Sequence, residues 1–345
     1  MTNSELLKKS FKYMCCSIIA WDDSDRKCED YPANNIYFFS EEYKKQMCKP
    51  LEKIRNSATK ILYHSNDSTD TQFNVIELKD EVVIAFRGSD SKQDWLADFN
   101  FFKIKFKESN EYTSQILAAT LSKEEYNKLI FDEYVRSNES LTDGIIDFFK
   151  KCTLVSPFKN NNNLVKTKNK KLDFINNDER KSIILDLFEK IKGSIFLHKG
   201  FLLQFNSVVD QFYSYLEKYK GKKIVITGHS LGAALAKLAF FYALINYPEE
   251  YNNYSCYIYG TPKIGNKFFN DYLCKIGRDK FFNINICTDL VQQLPPASFG
   301  YTNPINNITI KNIKAPFVTK CDHTLFYYLY CYENKAPVEF NKANS

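Results

Sequence analysis

No run of 18 apolar residues occurs in the chain, so no segment reads as a transmembrane helix. No two cysteines form a CxxC pair, which argues against a zinc ribbon or a thioredoxin-type site. Ten cysteines in 345 residues are too few for a disulfide scaffold. There is no internal repeat, and no long basic stripe interleaved with aromatics. A net charge of +6, from 47 basic and 41 acidic residues, is spread too thinly to suggest a nucleic-acid partner. No pattern calls for a metal or a cofactor. Histidine is also scarce, at four residues, and that scarcity narrows the search for a general base.

What is present is enough for a large core. Hydrophobic residues make up 44% of the chain and aromatics 16%. At about 150 residues per domain the length suggests two, but α/β folds often use such a length as one. Near the N-terminus, Lys8 and Lys9 precede the apolar run Tyr13 to Trp21. Asp22, Asp23 and Asp25 follow at once, with no small-x-small cleavage site. Ser4 to Ala20 therefore reads as a buried amphipathic helix, with a signal peptide as the alternative. The expectation is a cytoplasmic protein with reduced cysteines; the alternative is a secreted one.

The chain then changes character several times. Residues 30–72 are polar, with weak helical segments. Phe73 to Leu78 and Glu81 to Phe86 are short runs rich in β-branched and aromatic residues, and they read as a hairpin. Residues 107–196 read as helices, such as Ile183 to Ile191, joined by polar loops. Pro157 to Leu172 holds four consecutive asparagines and no acid, as a disordered loop would. From Gly221 a strand–helix alternation begins. Lys223 to Thr227, Ser255 to Tyr259 and Phe281 to Cys287 are apolar strands. Leu231 to Ile245, apolar on most faces, and Asn266 to Ile276 are the intervening helices. This order predicts an α/β fold with a mostly parallel central sheet flanked by helices.

Gly228-His229-Ser230-Leu231-Gly232 fits G-x-S-x-G. It lies between an apolar strand and a buried helix, the placement a nucleophile elbow requires. Side chains at either glycine would collide with neighbouring backbone, and Ser230 is held out of the sheet above a helix N-terminus. The plainer reading is a glycine-flanked turn with an incidental serine. A serine hydroxyl needs a base. His64 lies in a polar loop, His198 precedes the serine, and the sharp turn should send the His229 side chain away from Ser230. His323 remains, and it fits the chain order Ser, Asp, His. Among Asp271, Asp279, Asp289 and Asp322, only Asp289 follows the end of an apolar strand, where α/β sheets place their sites. Ser230 would attack an ester carbonyl, His323 would take its proton, and Asp289 would hold the imidazole. The oxyanion would be met by the Leu231 N–H and by a second donor on a loop after an upstream strand.

At these residues the chain resembles the class 3 (fungal-type) lipases of the α/β-hydrolase superfamily. The matching stretches are Val83 to Ser89 with Asp94-Trp95, His198 to Phe201, and Thr227 to Ala236. Tyr259 to Asn266, Asp289-Leu290-Val291 with Leu294-Pro295-Pro296, and His323 before an aromatic run complete the set. The resemblance implies a second oxyanion donor at Ser89. It implies a lid over residues 91–100, with Trp95, Leu96 and Phe99 on one face. It implies a lipid ester substrate, an acylglycerol or a phospholipid, met at a membrane or lipid-droplet surface. A core-facing helix would show the same spacing as the lid.

The sequence departs from the family in three places. The stretch between the lid and His198 is longer than the family needs. Ala233 stands where many members have glycine. Cys287 and Cys321 flank the acid and the base. The chain is expected to be a single domain, 1–345, with an N-terminal helical segment (1–60) and an insertion (107–196). Two other functions compete with a lipase-like ester hydrolase: a catalytically silent lipase-like scaffold that binds lipid or protein, and a thioesterase or amidase using the same triad.

Overall fold

In a computed structural model the described residues are 3–23, 27, 41–88, 103–105, 182, 185, 195–304, 307–313 and 323–341. The disordered loop expected at 157–172 and almost all of the 107–196 insertion lie outside them.

Strands β1 (Lys60–Asn66), β2 (Thr71–Glu77) and β3 (Glu81–Phe86) form an antiparallel meander, with Phe73 opposite Phe86 across the expected hairpin. A short pair, β4 (Lys103–Lys105) and β5 (Phe196–His198), stands apart from the main sheet. Then β6 (Lys223–His229), β7 (Tyr254–Tyr259), β8 (Phe281–Ile286) and β9 (Asn307–Ile310) add in parallel, and β10 (Val338–Asn341) closes the edge antiparallel. Among the described residues the main sheet runs β1-β2-β3-β6-β7-β8-β9-β10. β6 and β7 are largely apolar runs because both faces are covered, while β8 alternates Ile with buried Asn283 and Asn285.

One face carries α3 (Lys199–Asn206), α4 (Val209–Lys218), α5 (Leu231–Asn246) and α6 (Lys267–Gly277). The other carries α1 (Asn3–Ile19), α2 (Glu41–Ser57) and α7 (Leu325–Glu333). Helix α5 is buried from Leu231 through Leu244, as its nearly unbroken apolar sequence requires. The N-terminal run is a helix packed on the sheet, as read. Strands β1, β9 and β10 were not anticipated. β1 and β10 are the two edges and β9 is a four-residue strand between β8 and β10; all three have polar or interrupted patterns, and their pairing comes from their neighbours rather than from their own periodicity. No helix among the described residues is long and apolar enough to cross a membrane.

Candidate active site

Three chain segments far apart in sequence converge at the carboxyl edge of the parallel strands. Ser230 follows β6, Asp289 follows β8, and His323 precedes α7. Ser230 has φ 60° and ψ −125°, a backbone shape costly for a side-chain-bearing residue. The turn keeps that shape because α5 comes very close to β3. A Cβ on Gly232 would stand 2.2 Å from the Phe86 carbonyl oxygen, and one on Gly228 2.2 Å from the Gly232 carbonyl oxygen. Only hydrogen fits at either place. The Ser230 amide donates to the Tyr259 carbonyl, and its carbonyl accepts from Ala233 and Ala234. The elbow is thus tied to β7 and to its own helix.

His323 Nδ1 lies 2.8 Å from Asp289 Oδ2, and Nε2 lies 2.7 Å from Ser230 Oγ. A carboxylate can only accept, so Nδ1 carries the proton and Nε2 is left to accept from the serine hydroxyl. Asp289 is buried. Its Oδ2 also accepts from the Tyr328 hydroxyl at 2.7 Å, and its Oδ1 from the Val291 N–H at 2.9 Å. Tyr328 in turn accepts from the Ile286 N–H at 3.0 Å, so its hydroxyl is oriented from both sides. Burial, then the Asp289 charge, push the Tyr328 phenol far above its ordinary range, and it stays a donor. The His323 side chain is 13% exposed, enough to meet a bound molecule beside the serine.

Two features here went unread in the sequence. Gly260 has φ +55°, and a Cβ on it would come within 2.8 Å of Asp289 Oδ2 and 3.0 Å of His323 Nδ1. Its place at the end of β7, level with the elbow, was the available signal. Tyr328 was hidden inside an aromatic run in which any tyrosine looked alike.

The four histidines lie in different settings, and His64, expected in a polar loop, is on strand β1. His64 bonds the Tyr215 hydroxyl at 2.7 Å. His198 is buried against Phe201 and caps α3 by accepting from the Phe201 amide, and burial pushes its pKa down to about 3. His229 does not turn away from the site. Its ring stacks on His323, with centroids 4.5 Å apart. The rejected aspartates lie elsewhere: Asp271 on α6 pairs with Lys267, and Asp279 meets Tyr251. Asp322 lies outside the described residues, as do Ser89, Trp95, Leu96 and Phe99. A Cβ on Gly88, one residue before Ser89, would stand 3.6 Å from Ser230 Cβ, so the end of β3 brings the chain beside Ser230. Leu231 opens α5, and its amide is among those that the helix's own carbonyls cannot reach.

A family model described as lipase (class 3) matches residues 134–299. A secreted mono- and diacylglycerol lipase of Malassezia globosa is 32% identical over 123 residues, 34% of this chain and 40% of that relative. A phospholipase A1 of Arabidopsis thaliana is 34% identical over 106 residues, 30% of this chain and 26% of that relative. The matches to the Malassezia relatives thus span about two fifths of the length of those proteins. In structure, a triacylglycerol lipase described as having a serine protease triad superposes with a TM-score of 0.51 at 17% identity, covering 91% of this chain and 82% of the other. A mono- and diacylglycerol lipase from Aspergillus oryzae gives 0.51 at 16%, covering 100% and 88%. At such identities the likeness speaks for the fold.

The expected cytoplasmic location is corrected by the same relatives. The Malassezia lipases are named as secreted, which points against it. The expectation rested on acidic residues closing the first apolar helix, and those describe how the helix packs, not which compartment the chain occupies. The argument for reduced cysteines falls with it. Residues 134–299 are similar in sequence to the lipase (class 3) family, and the fold is similar to that of the α/β-hydrolase lipases.

Proposed function

We propose that the chain is a serine ester hydrolase that cleaves carboxylic esters of acylglycerols or phospholipids, working as one domain over residues 1–345. The observation that carries the reading is the unbroken relay Ser230 Oγ, His323, Asp289, at 2.7 and 2.8 Å. Ser230 attacks the carbonyl as its proton passes to His323 Nε2. Asp289, fixed by Tyr328 and Val291, steadies the resulting imidazolium. The Leu231 amide, with the expected partner at Ser89, receives the oxyanion. His323 then hands its proton to the departing alcohol, and water repeats the sequence on the acyl-enzyme. The lipid class is supported by the names of the relatives: mono- and diacylglycerol lipases and a phospholipase A1.

The test is Ser230→Ala against p-nitrophenyl esters and a fluorophosphonate probe. Labelling should vanish and turnover should fall by about 10⁴-fold or more. Unchanged labelling would remove Ser230 as the nucleophile. A thioester and amide panel run alongside separates the ester reading from the thioesterase or amidase one. For the lid at 91–100 the expected sign is a turnover that rises sharply once a lipid interface forms, and a flat response sinks it.

A further inference from the structure

We infer that His229 is a positioning residue: its ring is the floor on which the His323 imidazole lies. The inference rests on the serine-hydrolase reading above and deepens it. The two rings are 4.5 Å apart between centroids and 29° from parallel. His229 is in turn met edge-on by Tyr328, at 5.5 Å and 72°. Tyr328 is also the residue that orients Asp289. The imidazole of His323 is therefore held by a carboxylate at Nδ1, by the room left at Gly260 on its edge, and by a flat ring on one face.

The floor is suited to a ring that gains and loses charge. His229 is buried, and burial, followed by the neighbouring charge of His323, pushes its pKa far below the usual imidazole range. It stays neutral while His323 becomes imidazolium, so it adds no repulsion to that step. A neutral aromatic face also attracts a cation above it. Its Nε2 finds no hydrogen-bond partner among the described residues. A second base is thus present within the site but is not wired to the serine. A side chain that merely filled the space would block water, yet it would not keep the His323 ring in the plane from which Nε2 reaches Ser230.

The experiment compares His229→Phe with His229→Leu on a soluble short-chain p-nitrophenyl ester, with turnover normalised to the folded fraction. Phe keeps a flat face and Leu does not. The expected result is a kcat about tenfold lower in His229→Leu, with KM within about twofold, and most of that loss restored in His229→Phe. Leu turning over as fast as Phe would overturn the inference, as would a loss that falls in KM instead of kcat. Should His229→Leu fail to fold, His229→Met fills the same space without a flat face and takes its place. Ser230→Ala is run in parallel. If it stays active, the nucleophile reading fails; if it is dead while His229→Leu is fully active, only the floor fails.

Discussion

The two layers that cover the sheet hold the site in different ways. The layer of α3–α6 has a core of Phe, Leu, Ala and Tyr, and it holds Ser230 through close packing of α5 on β6 and β3. The layer of α1, α2 and α7 is rich in tyrosine, and its hydroxyls are used. Tyr259 donates to the Ser10 carbonyl, Tyr13 to Glu81 at 2.9 Å, Tyr327 to the Ile313 carbonyl at 2.9 Å, and Tyr328 to Asp289. Ser230 is thus placed by shape, and Asp289 and His323 by directed hydrogen bonds. Shape tolerates no added atom, whereas a network loses one bond at a time. The two layers should therefore fail differently under mutation.

The largest effect is expected where shape alone decides. Gly232→Val puts branched carbon into the space now held by the Phe86 carbonyl, 2.2 Å from an ideal Cβ. Neither partner is a flexible side-chain end, so the helix must move off the strand. A destabilisation of more than about 3 kcal/mol is expected, with loss of fluorophosphonate labelling. Denaturant unfolding checks it. A variant that is stable and fully labelled would show that the elbow is held by something other than close packing.

The α3–α6 layer also buries a lysine, which sharpens the contrast. Lys237 is fully buried on α5, with its Nζ donating to Asn270 Oδ1 at 2.6 Å, and burial pushes its pKa down from 10.5 to about 7. The folded state thus binds this proton less readily than the unfolded chain. Stability from this group is greatest above about pH 10.5, falls as pH drops towards 7, and is flat below. Lys237→Met removes that slope but leaves Asn270 Oδ1 without its donor. At pH 7 the variant should be more stable by about 2 kcal/mol, and the gain should shrink and reverse towards pH 10. A stability difference that does not change between pH 6 and 9.5 would contradict the buried, displaced lysine.

In the hydroxyl layer the effects should be graded. Tyr328→Phe removes the donor to Asp289 Oδ2 and leaves the Ile286 N–H without its acceptor. A stability loss of about 1–2 kcal/mol and a kcat about tenfold lower are expected, because Asp289 keeps Val291 and His323. Stopped assays on a soluble ester measure the second. No change in kcat would mean that the network supports the fold without steering the acid.

How much of this could be read beforehand follows the same division. The elbow was legible because glycine, serine and glycine must stand at fixed spacing between a strand and a helix, so shape writes itself into local sequence. Asp289 and His323 were reached by eliminating alternatives, from strand ends and from the rarity of histidine. Tyr328, His229 and Gly260 were not legible in these roles, because each acts on a residue distant in the chain and no local pattern marks the partner. Edge strands β1 and β10, and the short β9 beside β10, were missed for a related reason, since their pairing is a property of the neighbouring strand.

The smallest effect should come from a bond that the network can lose. Ser17, in the last turn of α1, lies 2.8 Å from Thr227 Oγ1, and Thr227 donates to the Tyr257 carbonyl at 2.7 Å. Thr227 sits on β6 three residues before Ser230 and is also 3.3 Å from the Tyr13 carbonyl of α1, so α1 reaches the strand that carries Ser230 through the Thr227 hydroxyl as well as through apolar contact. Ser17→Ala deletes the first bond and leaves Thr227 its carbonyl acceptor, so no buried donor is stranded. The cost should be about 1 kcal/mol, with ester turnover within twofold of the parent. A much larger loss of turnover at that small cost in stability would mean that α1 sets the height of the elbow, and the layer of α1, α2 and α7 would then share in placing Ser230 as well as Asp289 and His323.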